Sequence, residues 1–230
     1  MKKLQCTTIH HASKQLFPLI VFILFIFTSW SIYILSLDGH IKNTFPFIYQ
    51  ILHIGLDKLL LMALPSYLYL TYFEKTNCLL FLKLNHKITT GLRYTILSIL
   101  FLTLLAFHNQ YQLLNYIKFT PKLSLYLWID AILLAAIMDE IIFRGIILQT
   151  LASHMSFTKA TFFSTCFFVF IHFPRWYNLG HFSDYTIIGN INFIFCFGIL
   201  MGYILKKSNS LWPCILIHFV NNFISNALNL

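Results

Sequence analysis

Long apolar runs, broken by a small number of polar insertions, organise this chain of 230 residues. About 20 apolar residues carry a helix across a bilayer. About seven such runs can be drawn, at residues 16–36, 49–73, 90–107, 124–151, 157–173, 186–205 and 211–229. The second is the weakest, because Asp57-Lys58 interrupts it and Pro65 is placed to kink it. A re-entrant piece followed by a shorter span is its alternative reading. No repeat, low-complexity tract or Gly/Ser linker divides the chain. The expectation is an all-α, polytopic integral membrane protein forming a single domain over residues 1–230.

Composition points the same way. With 58% hydrophobic and 10% charged residues, the chain carries more apolar surface than a water-soluble core of its length could hide. Its 25 Phe and 12 Tyr suit lipid-facing and interfacial positions. The net charge of +9 raises the question of nucleic acid, but the 16 Lys and Arg are scattered singly between apolar runs and form no basic stripe. Nucleic acid is therefore excluded as a partner, and the charges are read as topology signals facing a lipid bilayer. If the N-terminus is cytoplasmic, that side receives Lys2, Lys3, Lys14, Lys75, Lys83, Lys87, Arg93, Lys159, Lys206 and Lys207, against Lys42, Lys118, Lys122 and Arg175 on the other. Ten against four favours an N-terminus inside and, with seven spans, a C-terminus outside. The run from Leu16 to Leu35 is too long for a cleaved signal peptide and is read as the first span. Cys6, Cys78, Cys166, Cys196 and Cys214 form no CxxC pair, so no disulfide framework or zinc-thiolate site is expected.

The polar insertions carry the chemistry. Asp139-Glu140-Ile141-Ile142-Phe143-Arg144-Gly145 sets two acids and an arginine inside an apolar run. A charge at mid-bilayer costs about 2.5–3.5 kcal/mol even on a lenient scale, so such a group is by default functional and partnered. Glu140 and Arg144 stand i and i+4 on one helical face, at ion-pairing distance. Asp139, rotated by about 100°, faces elsewhere. His172 lies one turn after Phe168, and Asn222 one turn after His218. Either histidine alone reads as a packing residue. Three polar sites on three spans must satisfy one another where water is absent, which draws the fourth, fifth and seventh spans around one pocket. Counted from the cytoplasmic ends, Asp139 is about 18 Å deep, His172 about 22 Å and His218 about 10 Å, a scatter that helix tilt must absorb. Such a pocket is suited to hydrolysis: a carboxylate and a histidine hold and deprotonate water, while a histidine and an amide stabilise an oxyanion. Gly198 and Gly202 form a small-xxx-small pattern whose ordinary meaning is helix packing.

Asp139-Glu140-x-x-x-Arg144, Phe168-x-x-x-His172 and His218-x-x-x-Asn222, in this order, resemble the motifs of the CPBP family of intramembrane proteases, also called the type II CAAX prenyl endopeptidase or abortive-infection family. Phe143-Arg144-Gly145 and Ser210-Leu211-Trp212-Pro213 are also similar to that pattern, and the likeness covers roughly residues 120–230. The resemblance implies peptide-bond hydrolysis by a glutamate-type mechanism. It assigns Asp139 as general base, Glu140 and Arg144 as its supports, His172 to the water, and His218 and Asn222 to the oxyanion. It leaves open whether a divalent metal such as zinc takes part, since catalytic zinc sites need three well-placed protein ligands. One position departs from the family pattern, which has Glu where this chain has Asp139, shorter by one methylene. A shift of about 1 Å in a catalytic group can cost about 100-fold in rate.

The implied substrate is a membrane-embedded or lipid-anchored peptide. Bacterial relatives are associated with peptide maturation and with self-protection against bacteriocins, so an immunity role is consistent with the resemblance. A non-enzymatic binding or immunity protein using the same pocket is the alternative. A proton-coupled transporter is weaker, because no inverted repeat or pair of broken helices is visible.

Overall fold

The computed structural model describes residues 2–228 apart from 76, 87–88, 122–123, 126 and 184–185, so Lys87 and Lys122 of the basic-residue count lie outside the described residues. All secondary structure among the described residues is helical. The all-α expectation holds.

Three helices are long and apolar enough to cross a membrane: Leu16–Thr44, Leu92–Leu114 and Ile187–Ser208. The first shows how the apolar pattern is used. Leu19, Phe22, Ile26 and Tyr33 are buried at helical spacing, while Phe17, Ile20, Val21, Leu24 and Phe25 face outward. A helix apolar on both faces belongs with one side against protein and the other against lipid. Leu92–Leu114 is more exposed still, with only Thr95, Leu102 and Gln110 buried.

The remaining apolar runs differ from the expected spans. Among the described residues, Phe157–Phe170 has 14 residues and Trp212–Leu228 has 17, shorter than the about 20 of a typical span. The helix through Phe157 ends at Phe170 rather than at 173, because Pro174 has no N–H to give to the Phe170 carbonyl. Residues 46–74 form one helical run whose break falls at Gly55 and not at Pro65. Gly55 has φ 106°, a conformation that glycine adopts without strain, and a side chain there would run into Leu134. Pro65 sits in the first turn of Leu64–Tyr69, and the wide π-helical turn Leu59–Ala63 before it absorbs the missing donor. Asp57 and Lys58, which made this span look weak, are both buried.

The core lies where residues 127–152 meet Phe157–Phe170, Thr186–Ser208 and Trp212–Leu228. Ile146, Ile147, Ala160, Met201, Leu205, Leu211, Cys214 and Ile217 are fully enclosed there. Gly198 and Gly202 face Thr165 and Thr161, whose methyl carbons would lie 2.6 and 2.4 Å from an added Cβ. The small-residue pattern is therefore a packing device for these two helices. Ser164 fixes the neighbouring pair by donating to the Phe143 carbonyl at 2.6 Å. At the far end, buried Gln110 donates to the carbonyls of Lys118 and Leu228 and accepts from Lys118 N–H, tying Leu92–Leu114 to the end of Trp212–Leu228.

Candidate active site

Asp139 closes the short α-helical turn Ala135–Asp139, and Glu140 opens the π-helical stretch Glu140–Ile147; a second π-helical stretch, Leu127–Leu134, precedes them. Wide π turns loosen the backbone repeat and recur at functional sites. Here the two acids diverge at the junction. The Asp139 side chain is 14% exposed and lines a cavity of about 310 Å³. Glu140 is fully enclosed and does not line it.

Glu140 works behind the cavity wall. Its Oε1 accepts from His218 Nδ1 at 2.8 Å and lies 3.2 Å from Arg144 Nη1. Arg144 is itself buried, with its guanidinium carbon 4.2 Å from the centroid of the Phe168 ring. An arginine so enclosed needs both the carboxylate and the aromatic face to offset its lost hydration.

His172 stands at the exit turn after Phe157–Phe170, directly before the helix Phe173–Asn178. Its Nδ1 meets the Phe168 carbonyl at 2.7 Å. A carbonyl only accepts, so Nδ1 carries the proton and Nε2 keeps its lone pair. His218 is placed by helix Trp212–Leu228, with Nδ1 on Glu140 and Nε2 4.0 Å from Asp139 Oδ2. Phe168 spaces both imidazoles, its ring lying edge-on to His172 at 5.0 Å and to His218 at 5.9 Å. Asn222, one turn beyond His218, donates one amide N–H to the Ala131 carbonyl at 3.2 Å.

Of the six residues singled out in the sequence, Asp139, His172, His218 and Asn222 thus line one cavity, and Glu140 and Arg144 lie behind it. The four cavity residues meet despite the unequal depths counted along their runs. A second cavity, of about 440 Å³, shares His172, Arg175, His218 and Asn222 with the first and adds the aromatic walls Phe168, Trp176, Phe193 and Phe197. The two histidines therefore stand where two cavities meet. Sequence reasoning missed His181, which lines the second cavity, and Lys58 and Asp130, which line the first. Lys58 and Asp130 form an ion pair. Their signal was available: a cation in one apolar run and an acid in another require a partner as much as Asp139 does.

The residues do not fit a zinc ion as they stand. Among the described residues, no group of three His, Cys, Asp or Glu is arranged to hold a metal.

Residues 121–224 match the family model described as Type II CAAX prenyl endopeptidase Rce1-like. That segment holds all six site residues and bears out the resemblance to the CPBP proteases read from the motifs. No curated protein and no solved structure gives a significant match. The helices of the described residues include three of membrane length, and residues 121–224 are similar to a protease family.

Proposed function

We propose that the chain is an intramembrane endopeptidase that cuts a membrane-embedded or lipid-anchored peptide with a water activated by Asp139. The observation that carries this reading is the meeting of Asp139, His172, His218 and Asn222 on one cavity, with Glu140 and Arg144 paired behind them. Asp139 takes a proton from water, and His172 Nε2 accepts the water's other O–H. The oxygen adds to the scissile carbonyl carbon, and the oxyanion formed is met by the second N–H of Asn222 and by His218. With Nδ1–H committed to Glu140, His218 reaches that oxyanion only as an imidazolium, through Nε2–H. In that form the charges of Asp139, Glu140, Arg144 and His218 sum to zero, which suits an enclosed site. Asp139 then returns its proton to the leaving amide nitrogen as the C–N bond breaks, and no step is routed through a metal.

The same reading gives Glu140 and Arg144 positioning roles, because neither lines the cavity. It takes the shorter runs as further crossings, seven in all, with the N-terminus and the Lys206-Lys207 turn cytoplasmic, in line with the ten-to-four distribution of basic residues. Peptide maturation or self-protection against a bacteriocin is the role such an enzyme would serve. The test is hydrolysis of a fluorogenic library of apolar peptides by the protein in lipid vesicles. Cleavage should be lost in His172→Ala and in His218→Ala. If peptide binding persists while neither the native chain nor its variants cleave, the pocket is a binding site and the enzymatic reading fails.

A further inference from the structure

The cavity at Asp139 does not end at the residues of the proposed reaction. It runs on to Lys58 and Asp130, ion-paired to each other with side chains only 9% and 12% exposed, and to Trp30 and Ser225. Lys58 also stands 5.7 Å over the Trp30 ring. The Gly55 break sets this placement, because it presses the 46–74 run against Leu134, one turn beyond Asp130. A charge pair so enclosed is weak evidence of stabilisation, since apolar replacements of similar volume are often neutral or better. An ammonium has three N–H donors and a carboxylate about four lone-pair sites. Their mutual contact uses one donor and one acceptor site, and both residues line the cavity.

A peptide lying extended in such a cleft has a specific need. Its main-chain N–H and C=O groups have left both water and any helix of their own, and each costs several kcal/mol if unmet in the hydrocarbon region. Resting on the peptidase reading, we propose that the Lys58–Asp130 pair is a substrate subsite that grips the main chain of an extended peptide to one side of the scissile bond. Lys58 donates to a peptide carbonyl and Asp130 accepts from a peptide N–H. The pair thus selects an unfolded apolar segment, whatever its side chains, and rejects one whose main-chain donors are blocked or already used within a helix.

The test compares two probes: fluorescein-labelled decapeptides randomised over Ala, Leu, Phe, Ser and Val, and the same mixture with alternate backbone amides N-methylated. Binding is measured in lipid nanodiscs, in an Asp139→Ala background so that nothing is consumed. With the pair intact, the parent peptides should bind at least tenfold tighter than the N-methylated ones. In Lys58→Met/Asp130→Leu the two should bind alike, with the thermal unfolding midpoint nearly unchanged. Undiminished discrimination in the double variant overturns the proposal, and so does failure of the parent peptides to bind the intact pair. If the double variant is not recovered folded, acylation of Lys58 in the native protein decides, read by mass spectrometry. Parent peptides should slow it severalfold and N-methylated ones should not; equal rates overturn the proposal. Cleavage by the native chain without pair-dependent discrimination sinks the subsite and leaves the peptidase, whereas discrimination without cleavage does the reverse.

Discussion

The Phe168 ring carries the Arg144 guanidinium on its face, 4.2 Å from the centroid, while its backbone carbonyl receives His172 Nδ1 at 2.7 Å. One residue therefore supports the buried cation and sets the tautomer of a cavity histidine. The Phe168-x-x-x-His172 spacing has a physical cause in this double contact, since residues four apart in a helix lie one above the other.

Replacing Phe168 by Ala should damage both functions. The lost ring and the void it leaves cost about 3–5 kcal/mol, and Arg144 and His172 lose their support together. Thermal unfolding in detergent should show a large fall in midpoint, and Phe168→Tyr should recover most of it.

Glu140→Gln should behave as a broken buried pair. It leaves Arg144 enclosed without an anionic partner, at a cost of about 3–5 kcal/mol. Glu140→Gln/Arg144→Met should regain most of that stability, yet peptide cleavage should stay low, because His218 Nδ1 has lost its carboxylate. Recovery of full cleavage in the double variant would remove Glu140 as the residue that positions His218.

Gly55→Ala tests the break in the 46–74 run. A Cβ at φ 106° is strained by about 1–2 kcal/mol from the backbone alone, and it would stand 2.2 Å from Leu134 Cδ1. A lower unfolding midpoint is expected for Gly55→Ala, whereas Gly189→Ala, with nothing within 4 Å of its added Cβ, should be nearly silent.

Orientation is checked by cysteine labelling from either side of sealed vesicles. Single cysteines introduced at Lys207 should react only with reagent on the cytoplasmic side, together with one placed near Lys14. Labelling of the two from opposite sides would contradict the seven-crossing count.

Much of the site was legible because an apolar run makes each charge conspicuous: Asp139, Glu140, Arg144 and the two histidines stood out for that reason. The i, i+4 relation also gave the Glu140–Arg144 pair correctly. Which acid faces the cavity was readable only as a difference in direction, because the π turn that separates Asp139 from Glu140 has no sequence signature. Lys58 and Asp130 were passed over for a different reason. Lys58 looked like a defect in a weak span, and its partner lies 72 residues away in another one. Proline, the usual kinking residue, points to a break at Pro65, whereas the break lies at Gly55, where close approach to Leu134 excludes a side chain. The end of the helix through Phe157 at Phe170 is not visible in apolar composition, because it is set by Pro174 beyond it.

The central claim is that Asp139 is the proton acceptor for the attacking water. Asp139→Ala, inserted and folded as the native chain is, should lose cleavage of the fluorogenic peptide library by about 10²–10⁴-fold, roughly 3–5 kcal/mol of barrier. Asp139→Glu should retain or exceed native cleavage, because it restores the longer carboxylate that the family pattern carries. Undiminished cleavage by Asp139→Ala would contradict the account.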